Sequence, residues 1–325
     1  MEKKVVLVTG IGGNVGQGIL RNIRDSFPQI YLVGVDIASF TPGNHLCNIT
    51  YKVPYSYDEN YIPTIKDICE KERVDLIVPS TDYEVFFLAK NQKYIPCKIA
   101  ASNHDTTEKY LDKYKSYLYH KENEIPFAQS WTPIDYIPIE EDIIAKPREG
   151  RGSRGILINP ENPNELPSDY MIQKLLKGKE ITTAAYVTKE NTLHGIFTMD
   201  RELTNGTTSK AKVIFNYDER LREIANNMIS LGGLKGSFNI QSIVTEENEI
   251  IPFEVNCRIS GTNSIRHNLG FKDVVYTIEE YLFNIRPSEA KPTSGIATRI
   301  LLDVIYPNAK EELNLNNKTS DHLIY

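Results

Sequence analysis

The chain has 325 residues, enough for two or three domains with a sizeable interior. With 40% hydrophobic and 25% charged residues its composition is ordinary for a globular protein, and a net charge of −6 excludes a basic footprint for nucleic acid or an anionic membrane. The apolar runs are strand-sized, MEKK leads into no signal-peptide core, and the four scattered cysteines form no CxxC pair, so a membrane span, a disulfide scaffold and a structural zinc site are not expected and a reducing cytoplasm is.

In chain order, VVLVT (5–9) reads as a strand, residues 16–27 as a helix and YLVGVD (31–36) as the next strand. A helix over 60–72, a strand over 75–80, a helix over 82–92 and a strand over 98–102 complete the first hundred residues. Short Val/Ile/Leu runs alternating with helical periods imply a parallel sheet covered on both faces. Beyond about Asn103 the grammar changes. One long helix is expected over 106–123, then a loop, EGRGSRG (149–155), between strands IIAKP (143–147) and GILI (155–158). Longer strands of antiparallel character follow at 180–188, 193–200, 237–245, 250–256 and 296–306, with helices at 219–230 and 272–283. An α/β, Rossmann-like domain over 1–105 is therefore expected to precede an α+β unit over 106–325, whose last dozen residues form a polar tail.

The first strand runs into TGIGGNVGQG, with Gly10, Gly13 and Gly16 three apart and Asp36 closing the second strand. Strand, glycine turn, helix, strand and acid make a dinucleotide fingerprint, so an NAD(P)-dependent short-chain dehydrogenase-like oxidoreductase is one reading. Such an enzyme needs a Tyr-x-x-x-Lys pair in which the lysine lowers the phenol pKa. Tyr94/Lys98, Tyr117/Lys121 and Tyr170/Lys174 have that spacing, but Pro96 interrupts the first, the third sits on a strand-like segment, and 19 tyrosines make chance matches expected. Glycines that serve only a tight strand-to-helix turn are the other reading, with Asp36 a strand-end acid.

SFNIQSIVTEENEIIPFEVNCRIS (237–260) reads as a hairpin turning near Glu247–Asn248. Alternation puts Phe253, Val255, Cys257 and Ile259 on one face and Glu254, Asn256 and Arg258 on the other. A turn centred there sets Gln241 opposite Glu254, about 5 Å apart at Cβ. A carboxylate and two amide oxygens on a rigid sheet suit Mg²⁺, or Mn²⁺ in its place, with phosphate oxygens completing the shell. A merely solvated polar face is the alternative.

These motifs, in order, resemble the ATP-grasp superfamily, and within it the carbamoyl-phosphate synthetase and biotin carboxylase branch. Glu254-Val-Asn256-Cys-Arg258 is similar to the family's Glu-x-Asn-x-Arg metal motif, with Gln241 at the partner-strand position, where many members carry an acid. Asp112-Lys113 resembles the pair that reaches the ATP phosphates, and Lys146 the lysine bridging phosphate and adenine. Residues 149–155, with Gly152, Ser153 and Arg154, resemble the glycine-rich lid; Gln173, Lys174, Leu175 and Leu176 resemble the adenine hinge and Glu180 the ribose carboxylate. The resemblance implies a pre-ATP-grasp domain followed by an ATP-grasp fold with a small mobile lid over about 128–175. It implies a carboxylate–amine ligase using ATP and Mg²⁺, with Arg258 stabilising the transferred phosphoryl group, Arg201 and Lys210 on the triphosphate or substrate, and Arg266 and His267 on an acceptor carboxylate. Partners would then be small-molecule carboxylates and amines, with homodimerisation left open.

Overall fold

The computed structural model describes residues 3–150, 154–204, 206–312, 318 and 320–325. In chain order β1 (Val5–Thr9), α1 (Asn14–Ser26), β2 (Tyr31–Asp36), β3 (Ile49–Lys52), α2 (Tyr61–Glu72), β4 (Leu76–Val78), α3 (Asp82–Lys90) and β5 (Lys98–Ile99) build the first unit. Its five strands are all parallel, in the order β3-β2-β1-β4-β5. Alternation in β1 explains the burial of both faces: Val6 and Val8 pack with Ile19, Leu20 and Ile23 of α1, while Val5 and Leu7 pack with Ile65 and Ile68 of α2. Strand order reverses between β1 and β4, and ligands of open parallel sheets collect in the crevice outside such a reversal.

The second unit follows with α4 (His104–Leu111), α5 (Lys113–Glu122), β6 (Ser130–Trp131), β7 (Ile143–Pro147), β8 (Leu157–Ile158) and β9 (Tyr170–Lys174). Next come β10 (Lys179–Val187), β11 (Leu193–Thr204), β12 (Thr207–Val213), α6 (Asp218–Ser230), β13 (Gly236–Val244), β14 (Ile250–Asn256), α7 (Asn263–Asn268), α8 (Asp273–Thr277) and β15 (Ile296–Thr298). A small sheet, β6-β9-β7-β8, stands beside a six-stranded antiparallel sheet, β14-β13-β10-β11-β12-β15. One face of the large sheet is closed by α6, through Ile181, Phe238, Ile240 and Val255 against Leu221, Ala225 and Met228. The opposite face carries Ala184, Phe197, Met199 and Ala211 under Phe271 and Tyr276. No helix among the described residues is long and apolar enough to cross a membrane.

Two expected elements differ, and one strand is added. The helix over 106–123 is broken at Asp112, whose extended backbone ends α4 and whose carboxylate caps α5 by accepting from the N–H groups of Tyr114 and Lys115. The expected strand over 296–306 pairs with β12 only through Ile296–Thr298; the next residues leave the sheet, and Val304–Ile305 forms a separate two-strand ladder with Leu323–Ile324. Residues 207–213, for which no element is expected, form β12 because Ala211 and Val213 alternate into the core while Lys210 and Lys212 face away.

The two units are tied together. Asn263 at the start of α7 donates to the Val15 carbonyl and accepts from Asn22, both on α1. Lys98 reaches the Tyr281 carbonyl, and the Ser102 hydroxyl accepts from the Lys235 N–H.

Candidate active site

The β13–β14 hairpin pairs Gln241 with Glu254 and Asn239 with Asn256, as expected, but by a route the alternation did not contain. Nearer the turn the pairs are Val244–Ile250, Ile243–Ile251 and Ser242–Pro252, so Phe253 is an extra residue, a bulge that shifts the register by one. Phe253 consequently leaves the core face it was expected to share with Val255, and its ring lies 5.4 Å from the Lys146 ammonium. Side chains on the resulting face form a chain of hydrogen bonds: Gln241 Nε2 to Asn256 Oδ1 (3.4 Å) and Asn256 Nδ2 to Glu254 Oε1 (3.1 Å). These are oxygen donors fixed by rigid backbone, the chemistry that Mg²⁺ selects. Among the described residues no three His, Cys, Asp or Glu side chains converge as a self-sufficient metal centre, so a cation here would draw on phosphate and water as well.

Arg258, two residues beyond β14, meets an acid that the sequence did not single out. Asp82, in the first turn of α3, accepts from Arg258 Nη2 at 2.7 Å and lies 3.5 Å from Asn256 Nδ2. The parallel-sheet unit thus contributes a carboxylate to the metal-motif strand of the other unit. Arg258 Nε is buried and has no partner among the described residues, a donor that an incoming oxyanion would satisfy.

Two lysines approach from the small sheet and α5. Lys146 on β7 is buried, donates to Gln173 Oε1 at 2.9 Å, and feels the charges of Glu254, Lys113 and Glu180. Burial lowers its pKa to about 8, against the raising influence of Glu254. Gln173 in turn donates to Ser130 Oγ at 3.0 Å, so its side chain orients the lysine. Lys113 is buried too, and its ammonium donates to the Gly150 carbonyl (3.0 Å) and the Arg148 carbonyl (3.4 Å), pinning the start of the glycine-rich loop. Asp112 adds a second anchor by accepting from Arg148 Nε and Nη2 while it caps α5.

Arg201 on β11 shares the site face. It donates to Glu180 Oε1 (2.7 Å from Nη2) and to Gln241 Oε1, so Glu180, expected at the ribose, holds a guanidinium here. In the hinge segment, Lys174 pairs with Glu141, Leu175 N–H donates to the Asp142 carbonyl, and Leu176 is half-buried. Arg154 is exposed, and Gly152 and Ser153 lie outside the described residues.

Three expected site residues are not brought to this cluster. Lys210 lies on the opposite face of the sheet from Arg201, exposed and paired with Glu202, because the strand period separates it from its buried neighbour Ala211. Arg266 is fully buried and saturated by Asp273, Ser260 and Thr262, so it braces the α7–α8 corner and does not meet an acceptor carboxylate. His267 is also buried, with Nε2 3.1 Å from Asp25 Oδ2 on α1.

The glycine turn is committed to packing. Asp36, the acid expected of a ribose site, accepts from Gly12 N–H at 2.8 Å and from Ala38 N–H at 3.1 Å. A side chain at Gly16 would place Cβ 2.4 Å from the Gly10 carbonyl oxygen, whereas at Gly13 the nearest atom would be 3.5 Å away. Tyr117, the helical candidate for a catalytic tyrosine, is buried, with Lys121 5.8 Å from its ring centre.

A Rossmann-like unit facing an antiparallel sheet, with three acids, two amides, two arginines and two buried lysines converging beside a glycine-rich loop, defines a protein that handles nucleotide phosphates. Residues 6–98 match the family described as PylC-like, N-terminal domain, and residues 110–262 match the ATP-grasp domain. Residues 110–262 are therefore an ATP-grasp domain, preceded by a PylC-like N-terminal domain over 6–98. Among solved structures the chain is similar to N5-carboxyaminoimidazole synthetase from Staphylococcus aureus complexed with ADP (TM-score 0.74, 14% identity, 92% of this chain and 82% of that one). N5-carboxyaminoimidazole ribonucleotide synthetase from Thermotoga maritima is similar at TM-score 0.68 and 16% identity, over 93% of this chain and 84% of that one. The biotin carboxylase domain dimer of Hydrogenobacter thermophilus 2-oxoglutarate carboxylase, with MgADP, ADP and bicarbonate, is similar at TM-score 0.67 and 17% identity, over 89% of this chain and 71% of that one. No curated protein sequence matches. The glycine turn thus belongs to a PylC-like domain, and nothing supports the dehydrogenase reading.

Proposed function

We propose that the protein is an ATP- and Mg²⁺-dependent ligase that activates a small-molecule carboxylate as an acyl phosphate for attack by an amine. One observation carries this reading: Asn256 bonds to Glu254 and shares Asp82 with Arg258, while the Lys146 ammonium lies over the ring of Phe253 next to Glu254. Glu254, Asn256 and Gln241 would hold the cation, which when bound supplies charge neutralisation on the nucleotide phosphates. Mn²⁺ offers the same coordination chemistry. Lys146 and Lys113 supply point charges for phosphate, and Gln173 to Leu176 would border adenine as the hinge. Arg258 and Arg201 face the region where charge develops on transfer, and the unpartnered Nε of Arg258 is a free donor for it. Asp82 orients Arg258 from the other unit.

The similar solved structures are named for carboxyaminoimidazole synthesis and biotin carboxylation, which supports carbon–nitrogen ligation as the chemistry. Cytoplasmic residence, a homodimeric assembly, a first domain over 1–105 and a mobile lid over about 128–175 belong to the same reading. Thermal unfolding tests it. ATP with Mg²⁺ at a hundredfold excess over Kd is expected to stabilise the fold by about 2.7 kcal/mol, and NAD(P) to leave it unmoved. A shift with NAD(P) alone would overturn the proposal. Screening amino acids and sugar acids for ADP release then names the carboxylate.

A further inference from the structure

Most guanidiniums around the site are neutralised. Arg148 pairs with Asp112, Arg201 with Glu180, Arg258 with Asp82 and Arg266 with Asp273. Two near the glycine turn are not: among the described residues no carboxylate bonds to Arg21 or Arg299. Arg21 stands on α1 one turn beyond Gln17, donating to Gln17 Oε1 at 3.3 Å, and Gln17 is itself tied to the Gly12 carbonyl. Arg299 follows β15 and donates through Nη2 to the carbonyl of Gly261, three residues past Arg258; its Nε is buried without a partner among the described residues. Gly261 lies against Asn14 at the opening of α1, which brings the end of the metal-motif strand, the glycine turn and Arg299 together.

Both arginines reach the glycine turn, Arg21 through Gln17 to the Gly12 carbonyl and Arg299 through Gly261 to Asn14. The pKa of Arg299 is lowered by burial and then by the charge of Arg21. Buried His45, whose Nδ1 is 2.8 Å from the Pro42 carbonyl, is lowered chiefly by burial, with the His322 and Arg21 charges acting in the same direction. Two guanidiniums that flank the glycine turn, with Arg299 near the strand that carries Arg258, bond to no carboxylate among the described residues and lack their counter-charge. An anionic ligand would supply it.

We propose that Arg21 and Arg299, with His45 beside them, form an anion subsite that recognises a phosphate or second carboxylate carried by the acid substrate away from its reacting carboxyl. This inference rests on the ligase reading and narrows it to substrates with at least two anionic groups. The glycine turn lines that subsite.

The test uses the full chain with Mg²⁺ and saturating AMP-PNP, so that the nucleotide phosphate positions are filled, titrated calorimetrically with inorganic phosphate and separately with malonate. Wild type is expected to bind at least one of these anions, and the tighter of the two identifies the group. Arg21→Gln and Arg299→Gln are each expected to weaken that anion about tenfold or more while leaving AMP-PNP affinity unchanged. Arg299→Lys, which keeps the charge, should retain most of the binding. Arg21 is solvent-exposed, so its glutamine variant tests the subsite without disturbing the interior. Unaltered anion affinity in both glutamine variants, or a wild type that takes up neither anion with AMP-PNP bound, would overturn the subsite and leave the ligase standing. A wild type that fails to bind AMP-PNP would overturn both.

Discussion

At the scale of single residues the chemistry concentrates in Glu254, Arg258, Asp82 and Lys146. Glu254→Ala removes the only carboxylate on the metal-motif strand. It is expected to abolish ADP release while leaving the unfolding midpoint within a few degrees, since Glu254 is half-buried and supports no core packing. Near-normal turnover by that variant would sink the site assignment. Asp82→Asn retains the shape and discards the charge facing Arg258. Its expected signature is a fall in kcat with the Kd for ATP nearly constant, partly restored by Asp82→Glu; an unchanged kcat would reduce Asp82 to a structural tie. Lys146 gives a pH dependence with a defined sign. Its pKa of about 8 lies below that of an exposed lysine, so the free site loses the ammonium as pH rises through 8. ATP affinity should fall across that window. Binding near pH 8 should take up protons, because phosphate favours the charged lysine; calorimetry in two buffers of different ionisation enthalpy measures it. The same depressed pKa makes the ligand-free fold gain stability from pH 8 towards the unfolded lysine value, the opposite slope. Glu254, Asn256 and Arg258 were legible because their spacing alone places them on one strand face. Asp82 was not: it lies more than 170 residues away and its partner is set by domain docking.

At the scale of elements, the glycine turn yields a correction and a prediction. The fingerprint invites the view that all three glycines are equally needed, yet the backbone at Gly13 has ordinary extended geometry and room for a Cβ. Gly13→Ala should therefore unfold like wild type. Gly16→Ala, which drives Cβ into the Gly10 carbonyl, should cost about 1–3 kcal/mol in a denaturant titration. Equal losses from the two would refute the packing account. Alternation and apolar period located nearly every strand and helix of the first unit, because each is buried on a face that the pattern marks. The break at Asp112 escaped notice because its cause is tertiary: Arg148, thirty-six residues on, claims the carboxylate that also caps α5. Lys210 was misplaced for a simpler reason. Without β12 recognised, nothing said which of its residues would face the site.

At the scale of the whole molecule, the change from alternating βα to long antiparallel strands was visible in sequence, and the two sheets follow it. What the sequence withheld was the way they meet. Asn263 with α1, Lys98 with the Tyr281 carbonyl, and Asp82 with Arg258 bind one unit to the other across the site. Unfolding is accordingly expected as one cooperative transition, with ATP and Mg²⁺ moving it as a unit; two separable transitions, only one of them nucleotide-dependent, would contradict that coupling.

Phe253 makes the site depend on a parity. Counting outward from the turn, an uninterrupted ladder would bring Phe253 opposite Gln241 and Val255 opposite Asn239, sending Glu254 and Asn256 to the oily side. The single surplus residue exchanges odd for even, and with it one complete set of side chains for another. Two sets of residues are written along the same strand, one for folding and one for chemistry, and one bulge decides which of them the nucleotide would meet.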